Sequence, residues 1–151
     1  MVGIGVVGAG YWGPNLIRNF AALGAVELVA IADRDSERLG RVAAQYPGVA
    51  TVERIEDLLA NERIRGIALA TPADTHFALA RAVLAAGKGV FVEKPLARSV
   101  AECEELIALA AANGQVLMVG HTFEYNAAVQ YSKSALTSGN WGKSTTSTPS
   151  G

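Results

Sequence analysis

The sequence predicts a doubly wound α/β domain built on a parallel sheet. Three observations carry this. Short apolar segments alternate with helix-like segments six times along 151 residues. The apolar segments are continuous runs, as strands covered on both faces are. A glycine cluster at residues 8–13 joins the first apolar run to the first helical one. Repeated strand–helix succession implies parallel pairing through right-handed crossovers, here as two mononucleotide-binding halves.

The elements follow in order. Val2–Val7 is an apolar, β-branched run closed by Gly8. Residues 14–23 place Leu16, Ile17, Phe20 and Leu23 at helical spacing, with Pro14 where a first-turn proline is tolerated and Gly24 as the stop. Val26–Ala32 is the second strand. Asp35 caps a helix to about Tyr46, which Pro47-Gly48 ends. Residues 49–52 form a short third strand and 54–60 a short helix. The fourth strand spans 66–71, and the helix over 74–86 closes at Gly87. Gly89–Glu93 is the fifth strand. Ser99 and Glu102 form a capping box, opening a helix that Asn113-Gly114 stops. The sixth strand covers 116–120, and a last helix is expected over 126–136.

Residues 1–136 are therefore expected to form one domain. In 137–151, twelve of fifteen residues are Ser, Thr, Gly or Pro. Such a tail buries too little surface to order itself, so disorder is expected there.

Composition narrows the class. Half of the residues are hydrophobic, which excludes a chain disordered throughout. A net charge of −1 supplies no basic field for nucleic acid or an anionic membrane. No apolar run approaches the ~20 residues of a membrane span, and the N-terminus lacks the basic region of a signal peptide. The single cysteine, Cys103, excludes an intramolecular disulfide framework and a Cys-rich zinc site. A cytoplasmic location is expected.

Gly8-Ala9-Gly10-Tyr11-Trp12-Gly13 fits G-x-G-x-x-G between a buried strand and a helix. Gly8 permits the turn, Gly10 lets backbone approach a pyrophosphate, and Gly13 lets the helix lie close to the strand. The helix N-terminus offers free N–H groups to phosphate. Asp33 ends the second strand 25 positions after Gly8, near the expected interval of about 20. A carboxylate there accepts both ribose hydroxyls and repels a 2′-phosphate, which favours NAD. Arg34 beside it leaves NADP open.

Ligands of such sheets lie outside the carboxyl ends of the strands. Thr71, Pro72 and His76 follow the fourth strand, Glu93 and Lys94 close the fifth, and His121 follows the sixth. Lys94, at the expected nicotinamide position, could donate to a substrate oxygen or relay a proton. In isolation it reads as a strand-end lysine reaching to water. His76 reads either as a solvent-facing first-turn residue or as a cofactor contact. His121 reads as a catalytic group or a polar strand end. No Asp or Cys lies at a spacing that would make either histidine a metal ligand.

Together the glycine motif, Ala70-Thr71-Pro72 and, above all, Glu93-Lys94-Pro95 resemble the Gfo/Idh/MocA family of NAD(P)-dependent sugar and cyclitol oxidoreductases. Within it, residues 10–15 and 120–126 look most like nucleotide-sugar 3-dehydrogenases acting on UDP-linked N-acetylated sugar acids. The resemblance covers residues 2–143. It implies a Rossmann domain with NAD or NADP held by Gly8, Gly10, Tyr11, Trp12, Gly13, Asp33, Arg34, Thr71, Pro72, His76, Glu93 and Lys94. It implies Lys94 as a catalytic group whose histidine partner belongs to the family's second domain, leaves His121 as a further catalytic candidate, and implies a sugar or nucleotide-sugar substrate.

The family's second α/β domain has no counterpart here, so the chain looks truncated. The expected activity is that of the cofactor domain of a dehydrogenase acting on CH–OH donors. The alternative is a stand-alone, non-catalytic dinucleotide-binding module or an inactive relic. Apolar surface near the sixth strand should then either drive self-association or leave the chain frayed from about Tyr125 onward.

Overall fold

The computed structural model describes residues 1–121 together with Lys133, Ser134 and Thr137. The elements are β1 (Val2–Val7), α1 (Gly13–Ala22), β2 (Val26–Ala32), α2 (Ser36–Gln45), β3 (Ala50–Val52), α3 (Ile55–Ala60), β4 (Gly66–Leu69), α4 (Ala73–Ala85), β5 (Gly89–Glu93), α5 (Val100–Ala112) and β6 (Leu117–Gly120). The strands pair in parallel in the order β3-β2-β1-β4-β5-β6. The chain winds outward from β1 to β3, then returns to the centre for β4. The order thus reverses between β1 and β4, where a crevice opens at the carboxyl edge.

Both faces of the inner part of the sheet are buried, and β1, β2 and β4 show it residue by residue. Ile67 and Leu69 belong to one cluster with Leu58 of α3, Val83 and Leu84 of α4 and Leu106 of α5. Ala68, between them in sequence, points the other way, into a cluster with Leu16 and Ile17 of α1 and Leu39 and Val42 of α2. Val6 and Val7 divide between the same two clusters. Fully burying such a side chain contributes roughly 1.5–3 kcal/mol, so the continuous apolar strands are what fix the sheet between two helical layers.

The expected stops hold. Gly87 and Gly114 adopt φ of 71° and 61° beyond α4 and α5, the left-handed conformation that ends a helix. Asp35 caps α2 by accepting from the N–H groups of Glu37 and Arg38. Ser99 caps α5 through the N–H of Glu102, but the Glu102 carboxylate reaches the N–H of Arg98, one residue before the cap. Three expected strand boundaries shift, and the helix ends differ by at most one residue. β4 ends at Leu69 rather than Thr71, because Pro72 has no N–H for a ladder and α4 begins directly after it. β3 and β6 begin one residue late.

The chain divides into two units, Met1–Gly120 and His121–Gly151. In the second, Lys133, Ser134 and Thr137 are helical, and the Thr137 hydroxyl lies 3.0 Å from the carbonyl oxygens of Lys133 and Ser134. Thr137 thus belongs to a helix, not to the expected tail. The remainder of the expected 126–136 helix and of the 137–151 tail lies outside the described residues, as does the fraying expected from Tyr125.

Candidate cofactor site

Register brings the strand ends level. Val7 pairs with Ala32 and Leu69, and Leu69 pairs with Val92. The residues that follow, Gly8, Asp33, Ala70 and Glu93, therefore line one edge.

The three glycines of the loop have different reasons to be there. Gly8 has φ of 95°, and a Cβ on it would stand 2.7 Å from the Ala70 carbonyl oxygen. A Cβ on Gly13 would stand 2.0 Å from the Gly8 carbonyl oxygen. The fold itself requires both. A Cβ on Gly10 would meet only the guanidinium of Arg38, at 3.3 Å. Space is held open at Gly10, as close approach of a pyrophosphate needs. Next to it, α1 opens with neither a side-chain cap nor an acidic first-turn residue. Its orphan N–H groups and partial positive charge remain for an anion.

Asp33 gathers several contacts at the end of β2. Its side chain is 8% exposed. Oδ2 accepts from the Ala9 N–H at 2.6 Å, and Oδ1 from the Asp35 N–H at 2.9 Å. Each carboxylate oxygen retains acceptor capacity for a ribose hydroxyl. The cation beside Asp33 is Arg38, at 3.7 Å, whose Nε also lies 3.1 Å from Asp35. The N–H group of Arg38 first, then that of Glu37 and the charges of Arg38 and Arg41, hold the Asp35 carboxyl below its usual range, against the opposing effect of burial. Arg34 is exposed and makes no ion pair with Asp33. The guanidinium expected there from Arg34 is supplied by Arg38. The i,i+3 spacing from the Asp35 cap was the signal that could have found it.

Across the crevice, the Trp12 indole N–H donates to Glu93 Oε1 at 2.7 Å. Gly120 makes room for Glu93, since a Cβ there would stand 3.1 Å from Oε1. Tyr11 is almost wholly exposed. Lys94 is exposed, carries no ion pair or hydrogen bond among the described residues, and precedes Pro95 through a cis peptide. The Thr71 and Thr75 hydroxyls are 2.7 Å apart, and Thr75 also lies 2.7 Å from the Pro72 carbonyl oxygen. Thr75 was not singled out from sequence.

His76 corrects an expectation. It is buried, not solvent-facing. Nδ1 lies 2.7 Å from the Pro95 carbonyl oxygen and Nε2 lies 2.8 Å from that of Thr71. With both ring nitrogens taken up by backbone, neither is presented to a cofactor. His121 is exposed and opens the second unit. Among the described residues, no group of three His, Cys, Asp or Glu could hold a metal ion, and no helix is long and apolar enough to cross a membrane.

The strand-end geometry fits a dinucleotide, and comparison with known proteins agrees. Residues 2–121 match the Gfo/Idh/MocA family, described as an oxidoreductase family with an NAD-binding Rossmann fold. A 4-carboxy-2-hydroxymuconate-6-semialdehyde dehydrogenase of Sphingobium is 34% identical over 90% of this chain and 43% of its own length. A UDP-N-acetylglucosamine 3-dehydrogenase of Acidithiobacillus ferrooxidans is 32% identical over 87% of this chain and 40% of its own. Among solved structures, the WlbA dehydrogenase of Bordetella pertussis, in complex with NADH and UDP-GlcNAcA, superposes with a TM-score of 0.84 at 31% identity. That match covers 94% of this chain and 41% of that one. The chain thus spans about two-fifths of the length of the curated relatives it matches. It belongs to the Gfo/Idh/MocA oxidoreductase family, of which it carries the NAD-binding Rossmann domain.

Proposed function

We propose that this domain serves a dehydrogenase that moves hydride between a sugar or nucleotide-sugar hydroxyl and a nicotinamide. The space kept open at Gly10, between the uncapped end of α1 and the Asp33 carboxylate, carries the reading of the binding half. In it, Gly8, Gly10, Tyr11, Trp12 and Gly13 surround the pyrophosphate. Asp33 and Arg38 take the adenosine ribose, and Thr71, Pro72 and Glu93 flank the nicotinamide half. The nicotinamide supplies the hydride acceptor. Lys94, without a side-chain partner among the described residues, hydrogen-bonds the substrate oxygen and passes on its proton as the carbon gives up hydride. His121, which directly follows β6 in the chain, is the second candidate for handling the proton.

The nucleotide-sugar class rests on relatives such as the UDP-N-acetylglucosamine 3-dehydrogenase. Val116 and Met118, both substantially exposed on the outer strand region, support self-association there. The unpaired thiol of Cys103 fits a reducing cytoplasm.

NADH titration by calorimetry, followed by a panel of UDP-linked sugars, tests the reading. Sub-millimolar binding of NADH is expected, tightened by a UDP-linked sugar where the substrate site is complete. Absence of NADH binding to folded protein would overturn it.

A further inference from the structure

We propose that His76 is a positioning residue that fixes Lys94 at the nicotinamide end of the site; this rests on the dinucleotide site proposed above. Among the described residues the Lys94 side chain makes no hydrogen bond, so its placement there comes from its neighbours. The carbonyl of Pro95, the next residue, lies 2.7 Å from His76 Nδ1. The other ring nitrogen lies 2.8 Å from the Thr71 carbonyl oxygen, at the end of the neighbouring strand. One imidazole therefore ties together the two loops that leave β4 and β5. The ring is 1% exposed, and its helix is anchored in the core through Ala80, Val83 and Leu84, each fully buried.

A purely structural residue at a helix–sheet contact would be apolar. A leucine at 76 would fill the space but leave the carbonyl oxygens of Thr71 and Pro95 without donors, a costly loss in a buried place. Carbonyl oxygens only accept: a neutral ring donates to one of the two, a protonated ring to both. The ring is spent wholly on the backbone of the lysine loop and of the threonine loop. Errors of about 1 Å in such supports are known to cost as much as ~100-fold in function, which is why a rigid donor on a core helix suits this task.

The test compares two ligands on the full chain. NADH reaches the nicotinamide end, whereas ADP-ribose shares its adenosine, pyrophosphate and ribose but lacks the nicotinamide. We expect His76→Ala to weaken NADH about tenfold while leaving ADP-ribose within about threefold. His76→Gln, whose amide N–H₂ can donate to the same carbonyl oxygens, should recover most of the loss. Lys94→Ala should show the same NADH-selective loss, and the double variant should lose no more than either single one. Should His76→Ala fail to fold by thermal melting, His76→Gln and the shorter His76→Asn carry the comparison, with Asn expected to behave as the defective variant. Equal weakening of both ligands, no weakening of either, or additive losses in the double variant would overturn the role of His76. Wild-type protein that binds neither NADH nor ADP-ribose would overturn the underlying site as well.

Discussion

The Trp12 indole N–H donates to the Glu93 carboxylate at 2.7 Å, joining residues 81 apart in sequence. One sits at the start of α1 and the other at the end of β5. The bond thus closes the glycine loop onto the strand that Lys94 directly follows. It is charge-assisted, and Gly120 on β6 keeps the space that Glu93 needs. The crevice between the two halves of the sheet is therefore bridged by protein before any ligand enters it.

Trp12→Phe should keep the aromatic body and remove only the donor. An exposed hydrogen bond of this kind is worth about 1 kcal/mol, so NADH affinity should fall roughly fivefold with little change in melting temperature. Glu93→Gln, whose amide oxygen still accepts, should lose less. Identical NADH affinity in Trp12→Phe and wild type would show that the loop holds its place without the bond.

Arg38 and Asp33 together should set the choice between NAD and NADP. The carboxylate disfavours a 2′-phosphate, and the guanidinium 3.7 Å away tempers that repulsion. NAD should bind more tightly than NADP, and Arg38→Ala should widen the preference by about tenfold. Asp33→Ser should narrow it. Both dissociation constants are to be measured at one salt concentration, since the term is electrostatic. An unchanged ratio in Arg38→Ala would remove Arg38 from the site.

The parts of this site that are local in sequence were legible there. Gly8, Gly10 and Gly13 stand between a strand and a helix, and Asp35 and Ser99 cap the helices they precede. What depends on the third dimension was not. His76 reads either as a first-turn surface residue or as a cofactor contact, because nothing local shows that α4 lies against the loop containing Pro95. Adjacency in the chain singles out Arg34 as the guanidinium beside Asp33. One turn of α2 instead returns Arg38 to the carboxylate. The Trp12–Glu93 bond depends on strand order, which brings β5 beside β4 and β4 beside β1. Lys88 follows the stop of α4 in the chain, and its burial arises where that loop meets the loop of Asn61 and Ile64.

Lys88 ties those loops together at the opposite edge of the sheet. Its Nζ donates to the carbonyl oxygens of Asn61 at 2.9 Å and Ile64 at 2.7 Å. Burial lowers its pKa from the ordinary value, helped by the Arg65 charge and opposed by Glu62. Lys88→Met should cost about 1–3 kcal/mol at neutral pH, because two carbonyl oxygens lose their donor. The pH dependence has a definite sign. With the folded pKa below the unfolded one, the unfolded chain binds more protons between the two values. The wild type should therefore gain stability relative to Lys88→Met as pH rises through the folded pKa toward 10.5. Denaturant melts of both proteins from pH 7 to 10.5 measure this, and a difference that shrinks over the range would contradict it.

Gly10 and Gly13 separate what the ligand needs from what the fold needs. Gly10 has no left-handed φ, and the only atoms near its absent Cβ belong to the flexible end of Arg38. Gly10→Val should consequently fold, with stability within about 1 kcal/mol of wild type, since the crowded guanidinium can swing into solvent. Its branched side chain would fill the space assigned to the pyrophosphate, so NADH binding should be lost. At Gly13 the absent Cβ would lie 2.0 Å from the backbone oxygen of Gly8, a neighbour that moves only if the turn moves. Gly13→Ala should destabilise the domain by about 1–3 kcal/mol or more, whether or not a ligand is present. Thermal melts and NADH titration of the two variants give a crossed outcome: one stable without binding, the other unstable. If Gly10→Val binds NADH as wild type does, the pyrophosphate does not lie on this loop. If instead Gly13→Ala melts with wild type, the close packing of α1 against β1 is not what holds the turn.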